Sequence, residues 1–427
     1  MHANLCYVMN QISQTLSIKL LKFECPAKML QFPIDCLNDI IEYLEDDSNT
    51  LYSCLLVSRN WCKISVRIYW RYIRNLSTLI ACLPNDSKEI LYNNGISIST
   101  SKTPVFNYAS FCKYLEVCKV IKDIEHFLRI QDISVQNLND ITTIVLQEIF
   151  KLLMCQISSL RELRYTLTNL TSITFTSYPG ARECLKNLST LSCCSNIQPE
   201  FFYHLSRICQ TTIHTLSIIL DELISNGLGD LISSLQNLRH LKVYQYKYGV
   251  DLTDINTLIS KFPNSLVTFC IYRGMGCFFK AVIPLSFIAR FTNLQELVFI
   301  FSSNESYEGF NKLQYVVFPQ LRSLKFNVEC PENELLIKFL ENNGKNLKEF
   351  YVKSNDNSLN LAIIKFCPNL RNLFIRIEDN ELEILETILI SCKYLESIRI
   401  FDYKYYNKAG LTEIIMKYSS NIKLFLW

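Results

Sequence analysis

Apolar residues recur along this chain in two rhythms. In the first, Ile34, Leu37, Ile41 and Leu44 follow one another at spacings of three and four, with Ile40 widening the stripe. That is the period of an amphipathic helix, and Pro33 suits its first turn, where a missing N–H is not needed. The polar run 45–49 ends this helix and offers caps for a second one through Leu51, Leu55 and Leu56. Ser58 can cap a third helix, in which Trp61, Ile64 and Ile68 share a face and Trp70 closes the segment. Residues 76–158 keep a helical pattern. Leu76, Leu79, Ile80 and Leu83 form one face, and a stretch after Pro104 carries Phe111, Leu115, Cys118 and Ile121. A further one carries Ile141, Val145, Ile149 and Leu152, while Ile96 and Ile98 alternate with serines as in a short strand.

The second rhythm is longer. From Leu170 a unit Leu-x-x-Leu-x-Ile returns, first as Leu170, Ile173 and Phe175, then as Leu188, Leu191 and Cys193. It continues through Leu238, Leu241, Val243 and Leu321, Leu324, Phe326 to Leu395, Ile398, Ile400 and finally Ile422, Phe425, Trp427. After a first step of 18, the units begin 23 to 28 residues apart. Such a period belongs to arrays in which each unit gives one inner strand and one outer return, and neighbouring units bury each other's anchors. The returns read as helices, as at 334–342 and 381–390. The last unit ends on Trp427, so the pattern expects an apolar final strand without a cap.

Both rhythms resemble one known family. Phe32, Pro33, Asp35, Leu37, Ile40, Ile41 and Leu44, followed by Leu56, Val57, Ser58, Arg59 and Trp61, are similar to the F-box, with Phe32 for the usual Leu and Ser58 for the usual Cys. The array resembles the leucine-rich repeats of F-box proteins that select substrates, without their usual Asn after the strand or their strict Cys pattern. The resemblance implies an α/β fold: a three-helix F-box, a helical connector, then a solenoid with a parallel concave sheet and a helical convex side. The corresponding layout is an extension at 1–28, an F-box at 29–75, a stiff connector at 76–158 and the array at 159–427. It also implies docking to the Skp adaptor, and through it a cullin, by Phe32, Pro33, Leu37, Ile40, Ile41, Leu44, Leu55, Val57 and Trp61. Burial of about 1.5–3 kcal/mol per anchor can exceed an association cost of about 4–15 kcal/mol.

Composition narrows the function. Against 43 basic residues stand 40 acidic ones, a net charge of +3 that argues for neither nucleic acid nor membrane. Mean hydropathy is high, at +0.12, yet no apolar run reaches membrane-spanning length. The 18 cysteines include no Cys-x-x-Cys and no zinc-finger spacing, so they read as reduced thiols packed in a cytoplasmic or nuclear chain. With 5 histidines outside any motif and 10 glycines, there is no phosphate loop, dinucleotide fingerprint or zinc-protease helix. No enzyme, cofactor or metal is expected.

Strand positions three, five and seven point out of the sheet. Early repeats offer hydroxyls there, among them Thr190, Ser192, Thr215 and Ser217. Later ones offer His240, Lys242, Tyr244, Tyr272, Lys325, Tyr351, Lys353, Phe374, Arg376, Arg399 and Phe401, opposed by Glu296 and Glu349. That half is expected to hold an acidic or phosphorylated protein segment through His240, Lys242, Tyr244, Lys325, Tyr351, Lys353, Phe374, Arg376 and Arg399. Two functions fit these features: the substrate receptor of a cullin ubiquitin ligase, or a repeat scaffold that binds proteins without a ligase.

Overall fold

The computed structural model describes residues 33–98, 104–131, 138–166, 173–221, 223–246, 252–274, 283–302, 307–353, 356–376, 382–401, 414, 417–418 and 422–426. The chain divides into two compact units, Met1–Tyr69 and Trp70–Trp427. The expected extension at 1–28 and Phe32 lie outside the described residues.

In the first unit the three predicted helices are present: α1 (Ile34–Glu42), α2 (Ser48–Leu55) and α3 (Arg59–Tyr69). Asp47 starts α2, accepting the Thr50 N–H at 3.0 Å and the Thr50 hydroxyl at 2.6 Å. The hydroxyl contact leads in holding the Asp47 carboxyl below its ordinary range. Ser58 Oγ accepts the Trp61 N–H at 3.4 Å, as its place before α3 predicts. Leu37, Ile41, Leu51, Ile64 and Ile68 close into one core, edged by Leu44, Trp61 and Tyr69.

The second unit is organised by one twelve-stranded parallel sheet in sequential order. Its strands are β1 (Tyr114–Glu116), β2 (Glu162–Tyr165), β3 (Thr190–Cys194), β4 (Thr215–Leu220), β5 (His240–Gln245) and β6 (Thr268–Arg273). They continue as β7 (Glu296–Phe301), β8 (Ser323–Phe326), β9 (Glu349–Tyr351), β10 (Asn372–Arg376), β11 (Ser397–Phe401) and β12 (Lys423–Leu426). Parallel neighbours require a crossover between every pair. Helices such as Pro199–Ile208, Asn226–Ser234 and Asn357–Phe366 make it, as do shorter turns such as Leu285–Arg290. The predicted returns at 334–342 and 381–390 appear as Asn333–Asn343 and Leu382–Ser391. An unbroken strand order, with a return between successive strands from β1 to β11, is compatible with a solenoid-like repeat.

Register turns the repeat into rows. Leu216, Leu241, Phe269, Leu297, Leu324, Phe350, Leu373 and Ile398 stand side by side across successive strands and are buried. Ile218, Val243, Ile271 and Phe299 form a parallel buried row, and the Phe299 and Phe326 rings stack at 5.3 Å. Cysteines repeat at the ends of the returns. Cys209 and Cys392 follow their helices and donate thiol hydrogen bonds to the carbonyls of Leu185 and Cys367 in the preceding turn. Burial pushes the Cys184 and Cys209 thiols up to about 12, and Cys367 also upward. Asn343 performs the same stitching with an amide: it accepts the Phe318 N–H at 2.7 Å and donates to Val316 O at 2.9 Å. Among the described residues, no helix is long and apolar enough to cross a membrane.

Four local expectations change. Leu170 is not described; Ile173 lies outside any strand, and Phe175 opens a 3-10 turn, Phe175–Ser177. The strand of that repeat is β2, anchored by buried Leu160, Leu163 and Tyr165, and the sheet already begins at β1, inside the stretch read as connector. The apparent helix through Phe111, Leu115, Cys118 and Ile121 is a 3-10 turn, then β1, then the helix Val117–Ile130. Ile96 and Ile98 belong to no strand. The Gln131 side chain takes the place of a partner strand at Ser97, accepting its N–H at 2.9 Å and donating to its carbonyl at 3.1 Å. Finally, β12 pairs Leu424 with Ile398 and Leu426 with Ile400, one residue away from the predicted Phe425 and Trp427.

Candidate binding surfaces

The residues predicted to dock an adaptor divide by depth. Leu37 and Ile41 are core residues, so they hold the helices together and have no apolar surface left to lose on docking. Leu44 and Trp61 pack against the same core and are half-buried, as is Leu55. Pro33, Ile40 and Val57 are exposed, with Ile40 at 40 % and Val57 at 59 %. Exposed apolar neighbours outside the predicted set include Leu56 at 75 %, Tyr43, Tyr52 and Ile34. The signal for Ile34 and Tyr43 was present: in α1 and the turn after it the core stripe is Leu37, Ile41 and Leu44, which leaves Ile34 and Ile40 on its two flanks and Tyr43 beyond.

On the sheet, the predicted substrate residues fall into two groups on the face opposite the buried rows. His240, Lys242 and Tyr244 occupy β5. Lys325, Tyr351, Phe374 and Arg399 form one row across β8–β11, and all four line a cavity of about 430 Å³ with Glu349, Asn372 and Ser397. Three strand spacings, about 14 Å, separate β5 from β8.

In the first group Tyr244, Tyr246 and Tyr272 make a platform, with ring centroids 4.9–6.0 Å apart. Tyr246, just past the strand end, was missed because it lies beyond the seventh position. Burial leads in lowering the His240 pKa, with Arg239 and Lys242 adding to it against Glu296, which disfavours the charged ring.

In the second group Tyr351 stacks on Phe374 at 3.9 Å, and the Lys353 amine sits 4.4 Å above the Phe401 ring. Arg376 pairs in register with Phe401. Lys325 is spoken for: its amine lies 2.8 Å from Glu296 and 3.2 Å from Glu349. Partial burial alone would lower that amine, but the hydrogen bond and charge of Glu296, then those of Glu349, raise it. Burial would push Glu349 up, but Lys325, Ser323 and Asn372 donate to its carboxylate and hold it below the ordinary range. This triad carries one surplus negative charge, so Lys325 cannot meet an acidic segment without giving up its two carboxylates. The cavity is an aromatic floor with a net-negative ion cluster at one side.

Among the described residues, no group of His, Cys, Asp and Glu is arranged to hold a metal ion. A scan against protein-family models and a search of curated proteins find no match to this chain.

Proposed function

We propose that this chain is the substrate-recognition subunit of a cullin ubiquitin ligase. The first unit docks the Skp adaptor, and the repeat array holds a protein for ubiquitin transfer by the associated ligase, in the cytoplasm or nucleus. The chain itself is a non-catalytic receptor. The observation that carries this reading is the exposure of Leu56, Val57 and Ile40 on a three-helix unit whose sequence resembles the F-box. Exposed aliphatic side chains on a unit too small to bury much surface of its own fit a partner interface. The leucine-rich-repeat character of the array rests on the sequential parallel sheet and its buried Leu rows. The aromatic floor around Tyr351 and Phe374 supports a protein ligand, since such rings supply binding energy at low entropic cost.

Co-purification of the full chain with the Skp adaptor tests the reading. Adaptor retained by the native chain and lost from a Leu56→Asp, Val57→Asp variant supports it. A soluble chain that never retains the adaptor overturns it in favour of the scaffold, a reading that the closed core of the first unit favours because that core needs no partner to complete it.

A further inference from the structure

We propose that the edge of the sheet where the chain enters β8–β11 is a docking groove for a short acidic segment of a protein partner. One residue before each of these strands stand Arg322, Lys348, Arg371 and Glu396. Backbone hydrogen bonds lock them into a file: Lys348 N–H donates to Arg322 O at 2.7 Å, Arg371 N–H to Lys348 O at 2.8 Å, and Glu396 N–H to Arg371 O at 2.8 Å. Neighbouring members are therefore about 4.8 Å apart. Lys345 stands in the turn before β9, and the four basic residues line a depression of about 350 Å³. The turns beneath are fixed, because the Asn346 and Asn369 side chains donate to the carbonyls of Pro319 and Lys345.

Three of the four positive charges in this groove are unmatched among the described residues. Arg371 has Glu396 at 2.9 Å, but Arg322, Lys345 and Lys348 are exposed and have no acidic partner among the described residues. Like charges on adjacent strands oppose folding. The same repeats resolve that problem on the open face, where Lys325 stands between Glu296 and Glu349. At the edge, among the described residues, no carboxylate pairs with Arg322, Lys345 or Lys348, so an outside anion completes the array. Gln295 and Val267 continue the file towards β6, and Glu396 closes the other end. The basic track thus spans two strand spacings, about 10 Å, the reach of about three extended residues. A nucleic acid gains affinity from a longer line of phosphate contacts; a few Asp, Glu or phosphorylated residues fit this length. That the segment belongs to the substrate rests on the receptor reading above, whereas the groove's charge does not.

The test is fluorescence anisotropy of a labelled decaglutamate peptide titrated with the full chain. Binding should weaken as salt rises and be at least about tenfold weaker in Arg322→Glu, Lys348→Glu. The milder Arg322→Gln, Lys348→Gln pair should fall between that variant and the native chain, and Lys312→Gln, an exposed lysine outside the groove, should match the native chain. No binding by the native chain, equal binding by the charge-reversed variant, or tighter binding of a ten-nucleotide oligothymidylate through the same residues overturns the proposal. Adaptor capture scored on the same variants separates the two ideas: peptide binding lost with the groove charges upholds the groove even where no adaptor is captured.

Discussion

Ile41 and Leu56 both belong to the F-box-like sequence pattern, yet the structure gives them opposite roles. Ile41 is fully buried at the centre of the first unit, whereas Leu56 is 75 % exposed at the end of α2. Ile41→Ala deletes three carbons from a closed core, a change that costs about 2–5 kcal/mol. A domain this small has a total stability of only a few kcal/mol, so the substitution should unfold α1–α3. Leu56→Ser and Val57→Ser remove side chains already in water and should stay within about 0.5 kcal/mol of the native chain. Hydrogen exchange followed by peptide-level mass spectrometry reads this directly. Amides of α1 and α3 should lose protection in Ile41→Ala and keep it in the two serine variants. Unchanged protection in Ile41→Ala, or unfolding by Leu56→Ser, would refute the division into core and surface.

Further predictions follow from the sheet. Glu349→Gln should cost about 0.5–1 kcal/mol, because it breaks a partly exposed ion cluster; urea titration at pH 7 measures it. Glu349 has a depressed pKa in the folded chain, so its contribution is present above the unfolded value and lost as pH falls through the folded one. Lys325, with a raised pKa, contributes below its unfolded value and loses its share as pH rises through the folded one. The native-minus-Glu349→Gln difference should therefore be flat near neutrality and shrink below about pH 4; a difference that grows on acidification would contradict the pairing. Asn343→Ala leaves the buried Phe318 N–H and Val316 carbonyl without partners and should cost about 2–4 kcal/mol, read by denaturant unfolding. Peptide-level alkylation at pH 8 should modify exposed Cys36 and Cys155 while Cys184, Cys209 and Cys367 stay protected until the chain unfolds.

What the sequence made legible follows from how strongly each feature is encoded. A helix stripe such as Leu37, Ile41 and Leu44 is written in every turn, and the sheet rows are written once per repeat, so both are visible without coordinates. The start of the sheet was hidden because β1 and β2 use Cys112 and Tyr165 where later repeats use Leu and Ile. Spacings of three and four also arise where a strand runs into a helix, which is how Leu115, Cys118 and Ile121 read as one helix. The last strand slipped by one because Leu424, Phe425, Leu426 and Trp427 are all apolar and alternation disappears. At the candidate surfaces, which side chains share a row was legible from the repeat. The pairing of Lys325 with two carboxylates was not, since its partners are about a full repeat away on either side. Nor was the division of the F-box-like residues into core and surface, because a spacing marks an apolar stripe without saying where its covered part ends.

The central claim is that exposed aliphatic side chains of the first unit bind the Skp adaptor. Calorimetric titration of the purified adaptor into the full chain tests it most directly, beside the Leu56→Asp, Val57→Asp variant. Each of these side chains has more than half its surface to lose, about 1–2 kcal/mol apiece. The account predicts saturable one-to-one binding by the native chain, weakened by about thirtyfold or more in the variant while α1–α3 keep their exchange protection. A folded native chain that releases no heat and forms no complex, or a variant that binds as tightly as the native chain, would contradict it.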